Sequence, residues 1–303
     1  MKILVAGATG AIGQPLVDIL IKFGFDVYGL THSKSHAQLI AGKGAKPLVL
    51  DILDQKAVFT AFENVRPEVV IDMLTSLPKE YTPEMMARAS ENNRKVRIEG
   101  GGNLYNAASN FDTKRYIVQS CGFLYAPGKG LADENVPFAL DAAPNISAAA
   151  HLYEDIERRV LLSDKMEGVA LRFGFFYGPG TWYHPLGSVA EQIRNRAFPL
   201  IGKGEGVWNF IHVEDGAKAA AEAIYSSPGT YNVVNSHPAK MSEWLPAFAR
   251  YLNAPPPYSI SEEEGLKVKG EDFIYYCTKL RGASNAKAIQ EFNFIPRSLE
   301  WLR

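Results

Sequence analysis

The stretch Lys2-Ile-Leu-Val-Ala-Gly7-Ala-Thr-Gly10-Ala-Ile-Gly13 joins an unbroken apolar run to three glycines spaced three residues apart. Such a run is typical of a parallel strand that is covered on both faces. Gly7 permits a tight turn, Gly10 lets the backbone approach a pyrophosphate, and Gly13 lets the following helix pack closely on the strand. We therefore predict a dinucleotide-binding turn, with contacts from Gly7, Thr9, Gly10, Ala11, Ile12 and Gly13.

The segment after this turn is predicted to be a helix over about residues 12–23. Its apolar side chains share one stripe, and Gly24 ends it. The N-terminal amides and the dipole of such a helix face the place where a phosphate would sit. The alternative is a strand-to-helix turn without a ligand. The strand before the glycines and the second strand after the helix favour the binding turn.

The end of the second predicted strand indicates which dinucleotide is preferred. A site for NAD usually places a carboxylate there, where it accepts hydrogen bonds from the ribose hydroxyls. Here the sequence offers hydroxyls, an imidazole and an ammonium from Thr31, His32, Ser33 and Lys34. This set suits a 2′-phosphate, so we predict NADP rather than NAD; the alternative is a polar loop without that role.

Composition limits the classes of function. The chain has 303 residues, a net charge of −1 and 21% charged residues, with Lys and Arg scattered rather than clustered. Nucleic acid and anionic membranes are therefore not expected as partners. Cys121 and Cys277 form no disulfide framework and the histidines lack ligand spacing, so we expect a cytoplasmic protein without a metal site. Neither a signal peptide nor a membrane-spanning run is expected.

Strands and helices are predicted to alternate along the chain. The predicted strands cover residues 3–6, 26–30, 47–50, 68–73, 115–119, 169–173 and 231–234. This alternation predicts an α/β fold with a doubly wound, parallel Rossmann sheet. Gly100-Gly-Gly102 lies inside a long predicted helix that ends near Ser109, which indicates close packing or a kink there.

The composition changes after Gly178-Pro-Gly180, where Pro, Trp and other aromatic residues become more frequent. We expect a dinucleotide-binding domain over 1–178, with a further strand from about 230–235. A smaller, mostly helical, substrate-binding lobe is expected over 179–303. Trp182, Tyr183, His184 and Trp208 are candidates for the wall of a substrate pocket, or plain core residues of that lobe.

Several motifs in order resemble the extended short-chain dehydrogenase/reductase family of the NAD-dependent epimerase/dehydratase type. Besides the glycine turn, they are Asp51-Ile-Leu-Asp54, Gln119–Tyr125, Leu171–Gly180, Asn209–Asp215, Tyr231-Asn-Val and Ser284–Pro296. The resemblance implies that Asp51 and Ile52 contact the adenine, that Leu74, Thr75 and Ser76 line the cofactor, and that a homodimer is possible.

The catalytic motif of that family is missing. Its members use a Tyr-x-x-x-Lys on one helical face, where the ammonium lowers the pKa of the phenol so that it serves as general acid or base. In this sequence Ala149 replaces the tyrosine and Tyr153 replaces the lysine, and no lysine occurs between 129 and 165. Cys121 occupies the position of the family's Ser or Thr.

Three residues are candidates to replace this motif. Tyr153 would point at the nicotinamide and its ribose, as a proton donor or an orienting group. His151 could carry protons near neutral pH, although a surface histidine is the alternative. Cys121 lies at the mouth of the predicted crevice, with a small apolar filler as the alternative.

The favoured hypothesis is an NADP-dependent oxidoreductase or epimerase-like enzyme. It would act on a small hydroxyl- or carbonyl-bearing metabolite with a non-standard proton donor. Two alternatives remain open: a sensor or scaffold that binds the dinucleotide without redox chemistry, and an isomerase or lyase that uses the same crevice.

Overall fold

Seven parallel strands form the central sheet of the computed structural model, which describes residues 1–292 and 294–302. The strands along the chain are β1 (Lys2–Ala6), β2 (Asp26–Thr31), β3 (Lys46–Val49), β4 (Val69–Asp72), β5 (Arg115–Cys121), β6 (Glu167–Phe173), β7 (Phe175–Tyr177), β8 (Leu200–Ile201), β9 (Val207–Trp208), β10 (Phe210–His212), β11 (Gly229–Val233), β12 (Ala239–Lys240) and β13 (Ser259–Ile260). Across the central sheet the order is β11-β6-β5-β4-β1-β2-β3. The other strands form three small two-stranded sheets.

Helices connect these strands and cover both faces of the sheet. They are α1 (Gly13–Lys22), α2 (Lys34–Gly42), α3 (Gln55–Val65), α4 (Pro83–Lys95), α5 (Gly101–Asn110), α6 (Pro144–Leu161), α7 (Ser188–Arg194), α8 (Val213–Glu222), α9 (Met241–Tyr251), α10 (Glu262–Lys269), α11 (Glu271–Thr278) and α12 (Ala286–Phe292). A single π-helical turn, Val96–Gly100, joins α4 to α5, and a short 3₁₀ helix covers Glu300–Leu302. The predicted α/β fold with a doubly wound parallel sheet is confirmed.

The three successive glycines explain how the long predicted helix is interrupted. A Cβ on Gly100 would lie 2.8 Å from the side chain of Ile52, and one on Gly101 would lie 3.2 Å from Asp72 Oδ2. Only glycine therefore lets this helix approach the sheet so closely. The interruption takes the form of a π turn, which inserts one extra residue into the helix.

Three apolar cores hold these layers together. One lies on each face of the central sheet, and the third is formed mainly by the C-terminal half of the chain around Trp208 and Trp244. Five half-buried aromatic side chains pack against the edge of the third core: Tyr81, Phe123, Tyr153, Trp182 and Tyr276.

The sequence analysis missed part of the C-terminal half. It did not predict α10 and α11, because each has only eight residues and α10 is largely charged and exposed. The N-terminus of α10 is stabilised by a capping box, in which Ser261 and Glu264 each accept a hydrogen bond from the other's backbone amide. In the stretch 284–296, α12 is present where a closing helix was expected, whereas Asn293, like Arg303 at the end of the chain, lies outside the described residues.

Candidate functional site

The glycine turn between β1 and α1 is built so closely that its first and third glycines admit no side chain. Gly7 has a φ of 78°. A Cβ on Gly7 would lie 2.6 Å from the carbonyl oxygen of Met73, and one on Gly13 would lie 2.0 Å from that of Gly7. The Gly10 amide donates to the Gly7 carbonyl at 3.0 Å. The N-terminus of α1 is thus held against the end of β1, in the arrangement that a dinucleotide phosphate requires.

The other residues of the turn face the C-terminal half of the chain. Ile12 is buried, and a Cβ on Gly216 of α8 would lie 3.2 Å from its side chain. A Cβ on Gly180 would lie 3.6 Å from the Cβ of Ala11. The Thr9 carbonyl accepts from the Gln14 amide at 3.1 Å. The loop after β7 therefore passes beside the turn without filling it.

At the end of β2, Thr31 shapes the loop, whereas His32 and Lys34 face outward. Thr31 is buried, and its Oγ1 accepts from the Ser33 amide at 3.2 Å. Ser33 precedes α2, while His32 and Lys34 are exposed. The hydroxyl of Thr31 is therefore engaged in the turn, and the outward-facing imidazole and ammonium are the groups available to a ligand.

Two further loops complete the predicted cofactor cradle. After β3, the exposed Asp51 accepts from the Leu53 amide at 2.9 Å, and Ile52 is buried under the π turn. After β4, the amide of Leu74 donates to Asp72 Oδ1 at 3.0 Å.

Helix α4 fixes the rest of the loop after β4. The Ser76 amide donates to Asn93 Oδ1 at 2.8 Å, and the Ser76 hydroxyl accepts from Asn92 at 2.6 Å. Thr75 remains exposed. All four loops follow strands of one parallel sheet, so they meet at the edge where such folds bind ligands.

Tyr153 lies on α6 at the rim of the third core. It is half-buried, and its hydroxyl makes no hydrogen bond to the part of the chain that the structure describes. Burial raises the pKa of this phenol, the Arg97 guanidinium opposes that shift, and the Cys121 thiol adds to it. The phenol is therefore protonated at neutral pH, a state in which it can donate a proton but cannot accept one as a base.

Arg97, on the π turn, is the cation next to Tyr153, and sequence analysis did not single it out. Its guanidinium carbon lies 5.0 Å from the centre of the Tyr153 ring. Only 4% of the residue is exposed, and its Nε is buried without a hydrogen-bond partner among the described residues. The glycine triplet was the available signal, since it marked the helix that carries Arg97 as unusual.

The structure brings Cys121 close to Tyr153 but leaves His151 outside. Cys121 is 1% exposed, and burial raises the pKa of its thiol to about 12, so the thiol stays protonated and acts as an apolar wall. His151 is exposed, and its Nδ1 lies 2.9 Å from the Ser147 carbonyl of its own helix. Two residues apart on a helix, His151 and Tyr153 point to different faces.

A buried ion pair connects α6, the helix that carries Tyr153, to the central sheet. Arg172 of β6 and Glu157 of α6 form two hydrogen bonds of 2.7 Å each. Ser120 also donates to Glu157, and Arg172 donates to the hydroxyl of Tyr125 at 3.0 Å. These contacts tie α6 to β5 and β6. They also show that Tyr125, the first residue of a formal Tyr-x-x-x-Lys match with Lys129, has a structural role.

A group of aromatic rings packs at and beside the edge of the third core, near Tyr153. Phe123 and Phe175 stack with ring centres 4.0 Å apart, and Tyr276 meets Phe123 edge-on at 6.3 Å. Tyr81 and Trp182 lie 4.7 Å apart, and the Trp182 indole donates to the Pro78 carbonyl at 3.0 Å.

The four pocket-wall candidates from the sequence separate in the structure. Trp182 packs against the edge of the third core beside Tyr81, whereas Tyr183 and Trp208 are buried inside that core. The half-buried His184 accepts from the Leu186 amide at 3.2 Å within its own loop.

The order of motifs and the sheet geometry agree with a sequence model of the NAD dependent epimerase/dehydratase family, which matches residues 3–234. The chain belongs to this family. Family membership makes it a nucleotide-binding oxidoreductase of the extended short-chain type, and its glycine turn has the geometry with which such folds hold a dinucleotide. Among the residues that the structure describes, no helix is long and apolar enough to cross a bilayer.

Two relatives of the family are reductases. The chain is 36% identical over 306 residues to a 3-diazoavenalumate denitrifying reductase of a Streptomyces species, with 99% of this chain and 98% of the relative covered. It is 26% identical over 269 residues to a 2-alkyl-3-oxoalkanoate reductase of Stenotrophomonas maltophilia, with 84% and 77% covered.

Solved structures of other family members share the fold. A UDP-glucose 4-epimerase of Thermotoga maritima with UDP-glucose superposes with a TM-score of 0.73 at 18% identity, covering 100% of this chain and 96% of the other. The UDP-glucose 4-epimerase of Thermus thermophilus in complex with NAD gives 0.72 at 22% identity, covering 99% and 96%.

Proposed function

We propose that this chain is an NADPH-dependent reductase that acts on a small carbonyl-bearing substrate, with Tyr153 as the proton donor. The observation that carries the proposal is the state of Tyr153. Its phenol is half-buried and free of hydrogen bonds to described residues, and burial raises its pKa. A protonated acid beside the nicotinamide favours reduction, because oxidation of a hydroxyl needs a base in that place.

The residues present fit the reduced cofactor. The glycine turn excludes side chains at Gly7 and Gly13, so backbone amides are left to face a pyrophosphate. His32 and Lys34 are exposed after β2, where an NAD site would place a carboxylate, and this favours the 2′-phosphate of NADP.

Reduction of a carbonyl group needs one hydride and one proton, and the proposed site can supply both. A bound NADPH would supply the hydride that the carbonyl carbon accepts. Tyr153 then gives its proton to the carbonyl oxygen, and the phenolate regains a proton from water. The nearby Arg97 guanidinium stabilises the transient phenolate, as its opposing effect on the phenol pKa indicates.

The relatives support the direction and the kind of substrate. Both relatives named above are reductases, and both are named for carboxylate anions. We therefore expect this chain to reduce a small organic acid rather than to epimerise a nucleotide sugar.

The test is a titration followed by turnover. Purified protein is titrated with NADPH and with NADH by nicotinamide fluorescence, and NADPH oxidation is then followed with carboxybenzaldehyde and benzoylacetate. Tighter binding of NADPH than of NADH, with oxidation matched by the alcohol product, supports the proposal. An aryl diazo acid is offered as a third substrate. Tight binding of NADPH without its oxidation by any of the three compounds points to a sensor instead.

If substrate is consumed with no net change in cofactor, an isomerase or lyase is indicated. Transfer of deuterium from the C4 position of labelled NADPH to the product separates hydride transfer from that outcome. Failure to bind either nucleotide overturns the proposal.

A further inference from the structure

Arg97 is the exception among the buried arginines of the described chain. Arg115 pairs with Glu167 and donates to two backbone carbonyls, and Arg172 pairs with Glu157. The half-buried Arg159 donates to the carbonyls of Ile98 and Arg97 through its terminal nitrogens, although its Nε has no partner among the described residues. In contrast, Arg97 forms no ion pair and donates no side-chain hydrogen bond to any described residue.

The nearest buried carboxylate does not compensate this charge. Asp72 accepts from the Leu74 amide at 3.0 Å and from the Tyr116 hydroxyl at 2.8 Å, and burial raises the pKa of its carboxyl group. It also lies beside Arg159, since a Cβ on Gly101 would be 3.0 Å from Arg159 Nη2 and 3.2 Å from Asp72 Oδ2. Two guanidinium groups thus share one engaged carboxyl group, and the cluster keeps an excess of positive charge.

A buried charge without a partner is strongly unfavourable, so it persists where a ligand supplies the partner. The guanidinium presents a planar fork of donors that matches the two oxygens of a carboxylate. Arg97 also lies on the π turn, an irregularity that inserts one residue into a helix and is frequent at functional sites.

The surroundings of Arg97 indicate what carries the carboxylate. Tyr153 lies under the guanidinium, and the electrostatic influence of Arg97 also reaches Cys121. Cys121 is buried in the third core and Tyr153 packs against it, as do Phe123, which stacks on Phe175, and Tyr276. Aromatic rings beside one unpaired, buried cation suit an aromatic acid better than a sugar, which needs many polar partners.

We propose that Arg97 binds the carboxylate of an aromatic acid substrate and thereby positions the substrate against Tyr153. This inference deepens the proposed reductase function and rests on it, because the bound acid is a substrate only if the chain is a reductase. Its test is equilibrium binding rather than turnover, so the two can fail separately. The same fork would also accept a diphosphate oxygen of the cofactor, and the experiment distinguishes the two sources.

The experiment uses three acid–amide pairs of equal shape: benzoate and benzamide, phenylacetate and phenylacetamide, cinnamate and cinnamamide. Binding to the NADP⁺-saturated protein is measured by calorimetry for the wild type, Arg97→Met, Arg97→Lys and a control, Arg94→Met, whose side chain is exposed one turn earlier on α4. NADPH affinity and thermal unfolding are measured for each protein.

We expect at least one acid to bind the wild type more tightly than its amide. Arg97→Met should weaken binding of that acid about 10- to 100-fold, the range for a charge-assisted hydrogen-bonded pair, and leave the amide unchanged. Arg97→Lys, which keeps the charge without the fork, should fall between the two, and Arg94→Met should match the wild type. NADPH affinity should stay within about twofold of the wild type in all variants.

Two results overturn the proposal. One is the absence of a preference for any acid over its amide in the wild type. The other is a loss of NADPH affinity in Arg97→Met as large as the loss expected for the acid, while the preference for the acid over its amide stays unchanged. That result would assign Arg97 to the cofactor diphosphate. If Arg97→Met does not fold, the Arg97→Lys protein decides by the same comparison.

Discussion

The guanidinium of Arg97 lies over the face of the Tyr153 ring, 5.0 Å from its centre. A cation over the ring face stabilises the side chain through the ring quadrupole and leaves the O–H free to donate. Arg97 also lowers the pKa of this phenol, but burial outweighs that effect, so the pKa stays raised. In the usual Tyr-x-x-x-Lys arrangement the ammonium instead brings the pKa of the phenol down toward neutrality. The net direction of the pKa shift determines the behaviour that we expect of Tyr153.

Replacement of Tyr153 by Phe removes the proton donor and keeps the ring under Arg97. We expect kcat for NADPH-dependent reduction to fall about 100-fold or more, the range for loss of a general acid, with the Kd of NADPH within about twofold of the wild type. Stopped-flow absorbance of the nicotinamide measures the first, and fluorescence titration the second. Tyr225→Phe, at an exposed position, is the matched control. Full activity of Tyr153→Phe would remove Tyr153 from the mechanism.

The pH dependence follows from the same side chain. Burial raises the pKa of Tyr153 above its ordinary value, so its active, protonated form persists through neutral pH and is lost only as pH rises through that pKa. We expect kcat to stay level from about pH 6 to 9 and to fall at higher pH. A rate that increases with pH through neutrality would show that a base is needed.

His151→Ala tests the other proton carrier suggested by the sequence. If the exposed imidazole transfers protons, this variant should lower the rate near neutral pH. The geometry predicts no change, because His151 faces away from Tyr153 on α6 and its Nδ1 contacts the Ser147 carbonyl. Initial rates across this pH range, with Tyr153→Phe in parallel, provide the comparison.

The parts of the fold set by local sequence could be predicted. The apolar run before Gly7 specifies a buried strand, Asp54 accepts from the Ala57 amide at 3.1 Å as the N-cap of α3, and Gly24 ends α1 with a φ of 80°. Each depends on a few neighbouring residues, and sequence analysis detects such features.

The surroundings of Tyr153 and Arg97 depend on contacts between distant residues, so they could not be predicted in the same way. Arg97 follows Arg94 and Lys95, and only the π turn determines which of these cations is buried. The sequence likewise cannot show that Cys121 is buried to 1%, or that the Tyr275 hydroxyl lies 3.4 Å from the Tyr125 carbonyl, 150 residues away.

A pair of glycine substitutions tests the cofactor cradle. Gly13→Ala places a Cβ 2.0 Å from the Gly7 carbonyl oxygen, so the turn must open and NADPH affinity should fall about tenfold or more. Gly42→Ala, at the end of α2, has no atom within 4 Å of the added Cβ and should stabilise the protein by about 0.4–1 kcal/mol. Fluorescence titration and denaturant unfolding measure these effects; equal NADPH affinity in the two variants would contradict the cradle.

The preference for NADP is tested at Lys34. Reversal of its charge in Lys34→Asp should weaken NADPH binding about tenfold, since a 2′-phosphate would then face a carboxylate, and should leave NADH binding unchanged. Lys56→Asp, at an exposed position in α3, makes the same change in net charge away from the cradle and serves as control. Titration at low and high salt checks the electrostatic origin of the effect. An equal change for both nucleotides would exclude a contact with the 2′-phosphate.

The ion pair between Glu157 and Arg172 supports Tyr153 from below, because Glu157 lies one turn further along α6. Arg172→Met leaves a buried carboxylate without its partner and should destabilise the protein by about 3–5 kcal/mol. The double variant Glu157→Gln with Arg172→Met removes that charge and should recover part of the loss, whereas Arg158→Met, in an exposed pair with Asp155, should cost about 0–1 kcal/mol. Denaturant unfolding of the wild type, Arg172→Met, Glu157→Gln and the double variant measures the coupling, with Arg158→Met as the exposed control. Strictly additive losses would mean that the pair contributes no mutual stabilisation, and that α6 is positioned by apolar packing alone.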